Sequence, residues 1–391
     1  MKIEAFGVEI WMNRHENHCR YNLAETCVES LTVAELLSLA GKPNSVLDDL
    51  LPMKLTYGAI EGSARLREAI AGLYENRSAD EVLVAHGAIG ANALVHTALV
   101  EPGDRVVSIV PTYQQHVSIP ESLGAEVLTL PLRAEDGYAP DLDALRRLAG
   151  DRAKLIVFAN PNNPTGALME RSTLEEVVRI AEGCGVWVLA DEVYRGLDQQ
   201  GEGSSVSVAD LYDRGISTGS MSKAFSLAGL RLGWIAARRD LLEAVSIHRD
   251  YNTISVGMID DLLAAIALES RDAVLVRNRS IVRENLAMLD AWVAGEPSIS
   301  WVKPRSGTTA LLRYAHEMDS EAFCTRLLEE TGVLFTPGAA LGAEGTVRIG
   351  YANNARVLRE GLAAVSGFLR SFSSGSTPPP PLRGPPPPLR R

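Results

Sequence analysis

The residue whose setting most suggests chemistry is Lys223, in STGSMSKAFSLAGLRLGW (217–234). Small residues precede it and apolar ones follow, and the segment reads as the end of a strand. A solvated surface lysine is poorly served by such surroundings. A desolvated lysine has a lowered pKa and becomes a usable amine. Ser220 and Ser222 place two hydroxyls on the same loop, and Arg231 lies eight residues on. Together the three could hold a dianionic phosphate beside the lysine.

The elements that must carry this group follow from the pattern around it. EVLVAHG (81–87), DRVVSIV (104–110), AEVLTLPL (125–132), AKLIVFAN (153–160) and VWVLAD (186–191) are apolar, β-rich runs. ISTGSMSK and LRLGWIAA continue the series. Between them GANALVHTALV (90–100) reads as a helix. Ser172 and Glu175 suggest a capping box ahead of the stripe Leu174, Val177, Val178 and Ala181. Continuous apolar strands alternating with helices imply a mostly parallel sheet covered on both faces. Ligands of such sheets bind at the carboxyl ends of the strands. Gly87, Asn163, Asp191 and Lys223 all fall at or just past those ends.

Set in order, these motifs resemble one family. S-x-S-K followed by L-A-G-L-R-L-G-W is similar to the cofactor-lysine segment of class I/II aminotransferases. NNPTG (162–166) resembles their Asn-Pro-Thr-Gly turn and ADEVY (190–194) their Asp-x-x-Tyr strand end. The resemblance covers about residues 20–370. It implies fold type I of the pyridoxal 5'-phosphate enzymes: an α/β large domain with a mostly parallel seven-stranded sheet, plus a smaller α+β domain. We expect an N-terminal segment at 1–45 packing with the small domain and active site. The large cofactor-binding domain is expected at 46–289, the small C-terminal domain at 290–372 and a disordered Pro-rich tail at 373–391.

The resemblance also implies roles. Lys223 holds the cofactor as a Schiff base and moves the α-proton. Asp191 pairs with the pyridine nitrogen and keeps it protonated, while Asn163 and Tyr194 hydrogen-bond the ring's phenolic oxygen. HGAIGAN (86–92) corresponds to the glycine turn that receives the phosphate. Many relatives carry a hydroxyl residue there, whereas this chain has Gly87, Ala88 and Ile89, so backbone donors, Ser220, Ser222 and Arg231 take more of the load. Tyr113, in VPTYQQH, resembles the aromatic that stacks on the ring. Tyr57, in LTYGAIEG, resembles the tyrosine that reaches a phosphate in the partner subunit's site, which implies a homodimer. Arg348, in TVRIGYANN, resembles the arginine that binds the substrate carboxylate; as a bare residue it also reads as a surface arginine on a strand.

The shared motifs imply an enzyme acting at Cα of an L-α-amino acid through an external aldimine and quinonoid, and they leave the reaction open. LRAEDGYAPDLDAL (132–145), HRDYNTIS (248–255), RSGTTALLRY (305–314) and the stretch from TGVLFTPG through GLAAVSGFL (331–369) resemble the capreomycidine synthase-type cyclases, which eliminate a β-hydroxyl from a hydroxyarginine and close a ring. Transamination to a 2-oxo acid is the alternative. A non-catalytic cofactor-sensing regulator is a third reading, but the fold begins within ~20 residues of the start and leaves no room for a helix-turn-helix. Glu25, in YNLAETCVES (21–30), falls where the family has a substrate-covering loop. It reads either as a partner for a cationic side chain or as an ordinary exposed glutamate.

Composition narrows the remaining classes. The 391 residues carry a net charge of −11, against a nucleic-acid or acidic-membrane surface. Cys19, Cys27, Cys184 and Cys324 form no C-x-x-C pair, and the seven histidines form no H-E-x-x-H set, so neither disulfides nor a metal is expected. No apolar run reaches the ~20 residues of a membrane span, and the N-terminus does not read as a signal peptide; a cytoplasmic enzyme is expected. The tail holds eight of the chain's 20 prolines. Its Pro385, Pro388 and Arg390 fit an SH3-ligand pattern, beside the plainer reading of a dispensable tail.

Overall fold

The computed structural model describes residues 2–42, 46–150, 152–201 and 203–373. The Pro-rich stretch with its SH3-like pattern lies outside them. A seven-stranded sheet runs in the order Val82–Ala85, Gly233–Ala236, Gly215–Ser220, Trp187–Asp191, Ala153–Ala159, Arg105–Val110, Glu126–Pro131. Only Gly233–Ala236 runs against the others. The large sheet is thus α/β and mostly parallel, as expected.

The strands are apolar throughout because each side chain meets a covered face. On one face Val106, Leu155, Val157, Leu189 and Ile216 pack with Leu94, Val95, Leu241 and Val245 of the helices Gly87–Leu99 and Arg239–Asp250. On the other Val107, Ile156, Phe158 and Val188 meet Leu174, Val177, Val178 and Ala181 of Arg171–Cys184. The alternation along each strand assigns neighbours to opposite helix layers.

Two local readings are corrected. The helix expected at 90–100 begins three residues earlier, at Gly87, so Ala88 and Ile89 belong to its first turn. The capping box at Ser172 and Glu175 does not form: the N-cap is Glu170, without a side-chain cap bond, and Glu175 instead faces Arg171 at 3.8 Å. The helix already starts at Arg171, so Ser172 lies inside its first turn and not at the N-cap the box requires. Capping boxes stand instead at Thr32/Glu35 and Ser78/Glu81.

After the 25-residue helix Arg271–Gly295, a four-stranded antiparallel sheet runs Thr336–Pro337, Thr346–Gly350, Thr309–Tyr314, Ile299–Trp301. Ser320–Thr331 and Ala355–Ser373 are its helices. The beginning of the chain joins this region through Tyr21–Asn22, which pairs in parallel with Val333–Leu334. Trp11 of the helix Gly7–His15 donates its indole N–H to the Phe335 carbonyl at 2.8 Å. Among the described residues no helix is long and apolar enough to cross a membrane.

Candidate active site

The strand ends of the large sheet and the first residues of the chain enclose a cleft of about 350 Å³. Its floor is the N-terminus of a helix. Gly87 has φ +64 and opens the Gly87–Leu99 helix, whose first N–H groups have no partner within the helix. A Cβ on Gly233 would stand 2.4 Å from the Gly87 carbonyl carbon and 2.6 Å from the Ala88 nitrogen, so only glycine permits this approach. Arg231 holds a left-handed backbone at φ 47, uncommon for a side-chain-bearing residue. Its Nη2 lies 3.2 Å from where a Gly87 Cβ would be. Ser220, Ser222, Ala88 and Ile89 line the same end.

Behind that N-terminus sits Asp191, the last residue of its strand and buried. Its Oδ2 accepts from Asn92 Nδ2 at 2.8 Å, and its Oδ1 from the Val193 N–H at 3.2 Å. Thr218 Oγ1 donates to Asn92 Oδ1 at 2.6 Å, which orients the amide. His116 Nε2 stands 3.6 Å from the same carboxylate, and His116 Nδ1 is 3.1 Å from His96 Nε2. Burial, then His116, pushes His96 well below the usual histidine range. Asn92, Thr218, His96 and His116 were not singled out from the sequence. Asn92 closes the HGAIGAN window and His116 ends VPTYQQH, so proximity to known motifs was the available signal.

Lys223 points into the cleft and donates from Nζ to Thr26 Oγ1 at 2.6 Å and to Cys27 Sγ at 3.4 Å. Its pKa moves up rather than down, a correction to the expectation of a lowered value. Burial disfavours the ammonium, but Cys27, Tyr194 and Glu25 favour it more. Glu25 is half-buried and lines the cleft, not exposed as its plainer reading had it. Its Oε1 accepts from the Thr26 and Cys27 N–H groups at 2.8 and 2.9 Å. Burial raises its pKa, yet Lys223 and these bonds overcome that and hold it low.

Arg348 is 3% exposed and is not a surface arginine. Its Nη1 donates to Asn163 Oδ1 at 3.3 Å, and its Nη2 to Thr336 Oγ1 at 3.1 Å and the Ala24 carbonyl at 3.3 Å. The Arg348 Nε and the Tyr194 hydroxyl are buried without partners, and both residues line the cleft. Tyr113 lines it too, its hydroxyl donating to Glu9 Oε1 at 2.8 Å. Tyr57 stands apart: it is 73% exposed and does not line the cleft of its own chain.

The profile of "Aminotransferase class I and II" matches residues 49–365. The chain belongs to this family. It is 33% identical to capreomycidine synthase of Streptomyces vinaceus over 376 residues, 95% of this chain and 96% of that protein. It is 30% identical to the arginine–pyruvate transaminase AruH of Pseudomonas aeruginosa, over 81% of this chain and 83% of that one. A PLP-dependent aminotransferase from Streptococcus suis superposes with a TM-score of 0.92 at 44% identity, covering 95% of this chain and 99% of that one. The chain is a pyridoxal-phosphate enzyme of this family, and its cleft fits the group: a helix N-terminus at Gly87 with the Arg231 guanidinium beside it, an orphaned Tyr194 hydroxyl, and a lysine amine. Bound there, the cofactor supplies an electron sink for Cα of an amino acid.

Proposed function

We propose that the chain acts on an arginine-type L-amino acid, eliminating a β-hydroxyl from a hydroxylated arginine and closing a ring by return of the guanidinium. The observation that carries this is the pairing in one cleft of buried Arg348, a fork for the α-carboxylate, with Glu25, a carboxylate held ionised beside Lys223. Similarity to capreomycidine synthase over nearly the whole of both chains supports the cyclising outcome.

In this reading Lys223 carries the cofactor and moves the proton at Cα. Asp191, fixed by Asn92 and the Val193 N–H, holds negative charge at the ring nitrogen. Tyr194 and Asn163 serve the phenolic oxygen, and Tyr113 stacks on the ring. Gly87, Ala88 and Ile89 offer backbone donors to the phosphate, joined by Ser220, Ser222 and Arg231. Arg348 binds the substrate carboxylate and Glu25 its cationic side chain. We also propose a cytoplasmic homodimer in which Tyr57 serves the partner's phosphate. Exposed Leu51, Leu55, Tyr57 and Tyr251 give that contact an apolar surface.

Transamination is the second reading, favoured by the 44% identity to an aminotransferase. Both are tested by incubating the enzyme with hydroxylated arginine, arginine, leucine and aspartate, with and without a 2-oxo acid, and weighing the products. Cyclisation yields, from hydroxylated arginine alone, a product lighter by one water. Product only in the presence of a 2-oxo acid establishes transamination, and preference for leucine or aspartate overturns the cationic substrate.

A further inference from the structure

The helix Gly7–His15, with its C-cap Glu16, also contributes a wall of the cleft. Four of its residues line the cleft: Val8, Glu9, Met12 and Glu16. Spaced i, i+1, i+4 and i+8, they lie along one face. The face alternates in character: a carboxylate, a thioether three residues on, and a second carboxylate four beyond that. Glu9 and Glu16 are both half-buried. One oxygen of Glu9 accepts from Tyr113, while the Glu16 carboxylate takes no hydrogen bond or ion pair among the described residues.

The charges in the cleft do not balance without a further cation. Lys223, Arg231 and Arg348 are its cations; Glu9, Glu16, Glu25 and Asp191 are its carboxylates. Arg231 faces the phosphate cradle, Arg348 faces a substrate carboxylate, and Asp191 faces the ring nitrogen. Of the glutamates on the N-terminal side, Glu9 takes the Tyr113 hydroxyl and Glu25 two backbone N–H groups, and Glu16 is left without a partner among the described residues. Two groups buried in the same cleft await a ligand as well, the Arg348 Nε and the Tyr194 hydroxyl.

Resting on the arginine-type reading above, we propose that this helix face is the side-chain subsite. Met12 and Val8 pack the methylene stem, and Glu16 joins Glu25 in receiving the guanidinium, one carboxylate to each side of the fork. An arginine side chain has the matching sequence of parts, an apolar stem and a planar cationic fork. Met12 lies between the two carboxylates and offers an adaptable apolar contact. Glu16 is then a specificity residue for the cation, and a neutral isostere is discriminated against because it leaves that carboxylate unpaired.

The test uses the holoenzyme and two ligands lacking the α-amine, so that neither reacts with the cofactor. δ-Guanidinovalerate carries the carboxylate and guanidinium; δ-ureidovalerate is its neutral isostere. Calorimetry on wild type is expected to show a preference of tenfold or more for the guanidino acid. Glu16→Gln is expected to remove at least five-fold of that preference, with the cofactor's visible band and the melting temperature unchanged. Glu16→Asp, which keeps the charge on a shorter arm, is expected to retain most of it. Retention of the full preference by Glu16→Gln, or its loss equally in Glu16→Asp and Glu16→Gln, overturns the subsite. Absence of any preference in wild type overturns instead the cationic-substrate reading on which it rests.

Discussion

The two sides of the cleft are built in different ways. The side proposed to hold the cofactor is made by strand ends of one sheet. Asp191 and Ser220 end their strands, Gly87 and Asn163 follow theirs within four residues, and the hydrogen-bond ladder fixes the spacing of the strand ends. The substrate side is assembled across the whole chain. Glu9 and Glu25 come from its start and Arg348 from near its end, and the Arg348 Nη2 to Ala24 carbonyl bond spans 324 positions. Strand ends of a parallel sheet are fixed in position by the ladder itself. A wall joined by long-range packing has positions that separate contacts must hold, so it is where a family changes substrates without changing its cofactor.

The comparison breaks most visibly at Lys223. Lys223→Ala is expected to abolish turnover and the visible absorption of the bound cofactor, while the sheet that frames the site stays folded. Borohydride fixes the cofactor to the wild-type protein and is expected to fix none to the variant. A variant that still becomes labelled places the cofactor on another lysine and dissolves the link between the strand-end motifs and the chemistry.

That asymmetry also explains how much of the molecule was legible beforehand. The apolar runs around Val106, Ile156 and Leu189 declare the sheet because both faces are covered, and the glycines and small residues at its ends declare the cradle. The Asp191 support was not legible: Asn92 and His116 bear on it only because the Gly87–Leu99 helix and the helix beginning at Gln115 converge there. Glu9 and Glu16 were silent for a similar reason. Nothing in GVEIWMNRH says which helix face meets a cleft until Trp11 is seen turned to Phe335. The capping box expected at Ser172 fails because the helix begins one residue earlier, at Arg171.

Glu25 belongs to both sides, and its replacement gives an effect of intermediate size. In its proposed role Lys223 must be a neutral amine to capture the cofactor, and its pKa in the cofactor-free protein is raised. The sign follows directly: a raised pKa leaves the ammonium dominant near neutrality, so the capture rate rises about tenfold per pH unit below that pKa. Glu25 is one of the groups that favour the ammonium. Glu25→Gln is therefore expected to speed cofactor capture by the apoprotein several-fold at pH 7 while weakening binding of arginine-type substrates by tenfold or more. Stopped-flow absorbance measures the first and steady-state KM the second. Faster capture with unchanged KM assigns Glu25 to the cofactor side alone; slower capture contradicts the placement of its charge beside Lys223.

The smallest effect is expected where the two sides touch. Tyr113 comes from the large-sheet side, and its hydroxyl donates to Glu9 of the N-terminal helix at 2.8 Å. Burial and then the Glu9 carboxylate push the phenol pKa up, so it keeps its proton throughout the neutral range and the bond does not titrate there. The ring has a separate task, packing against Phe6 at 4.7 Å between centroids and facing the cleft. Tyr113→Phe removes the bond and keeps the ring. A hydrogen bond to a charged group contributes ~1.5–3 kcal/mol, and Glu9, half-buried, recovers part of that from water. The expected outcome is a loss of about 1 kcal/mol in stability by denaturant unfolding and a two- to five-fold rise in KM for arginine-type substrates, with the cofactor's visible spectrum and the pH profile of turnover unchanged from pH 6 to 9. A changed spectrum would mean that the hydroxyl acts on the cofactor. A new pH-dependent step in the wild type, absent from the variant, would mean that the phenol titrates within reach of the chemistry, and the two walls would then be coupled by a proton and not by a static bond.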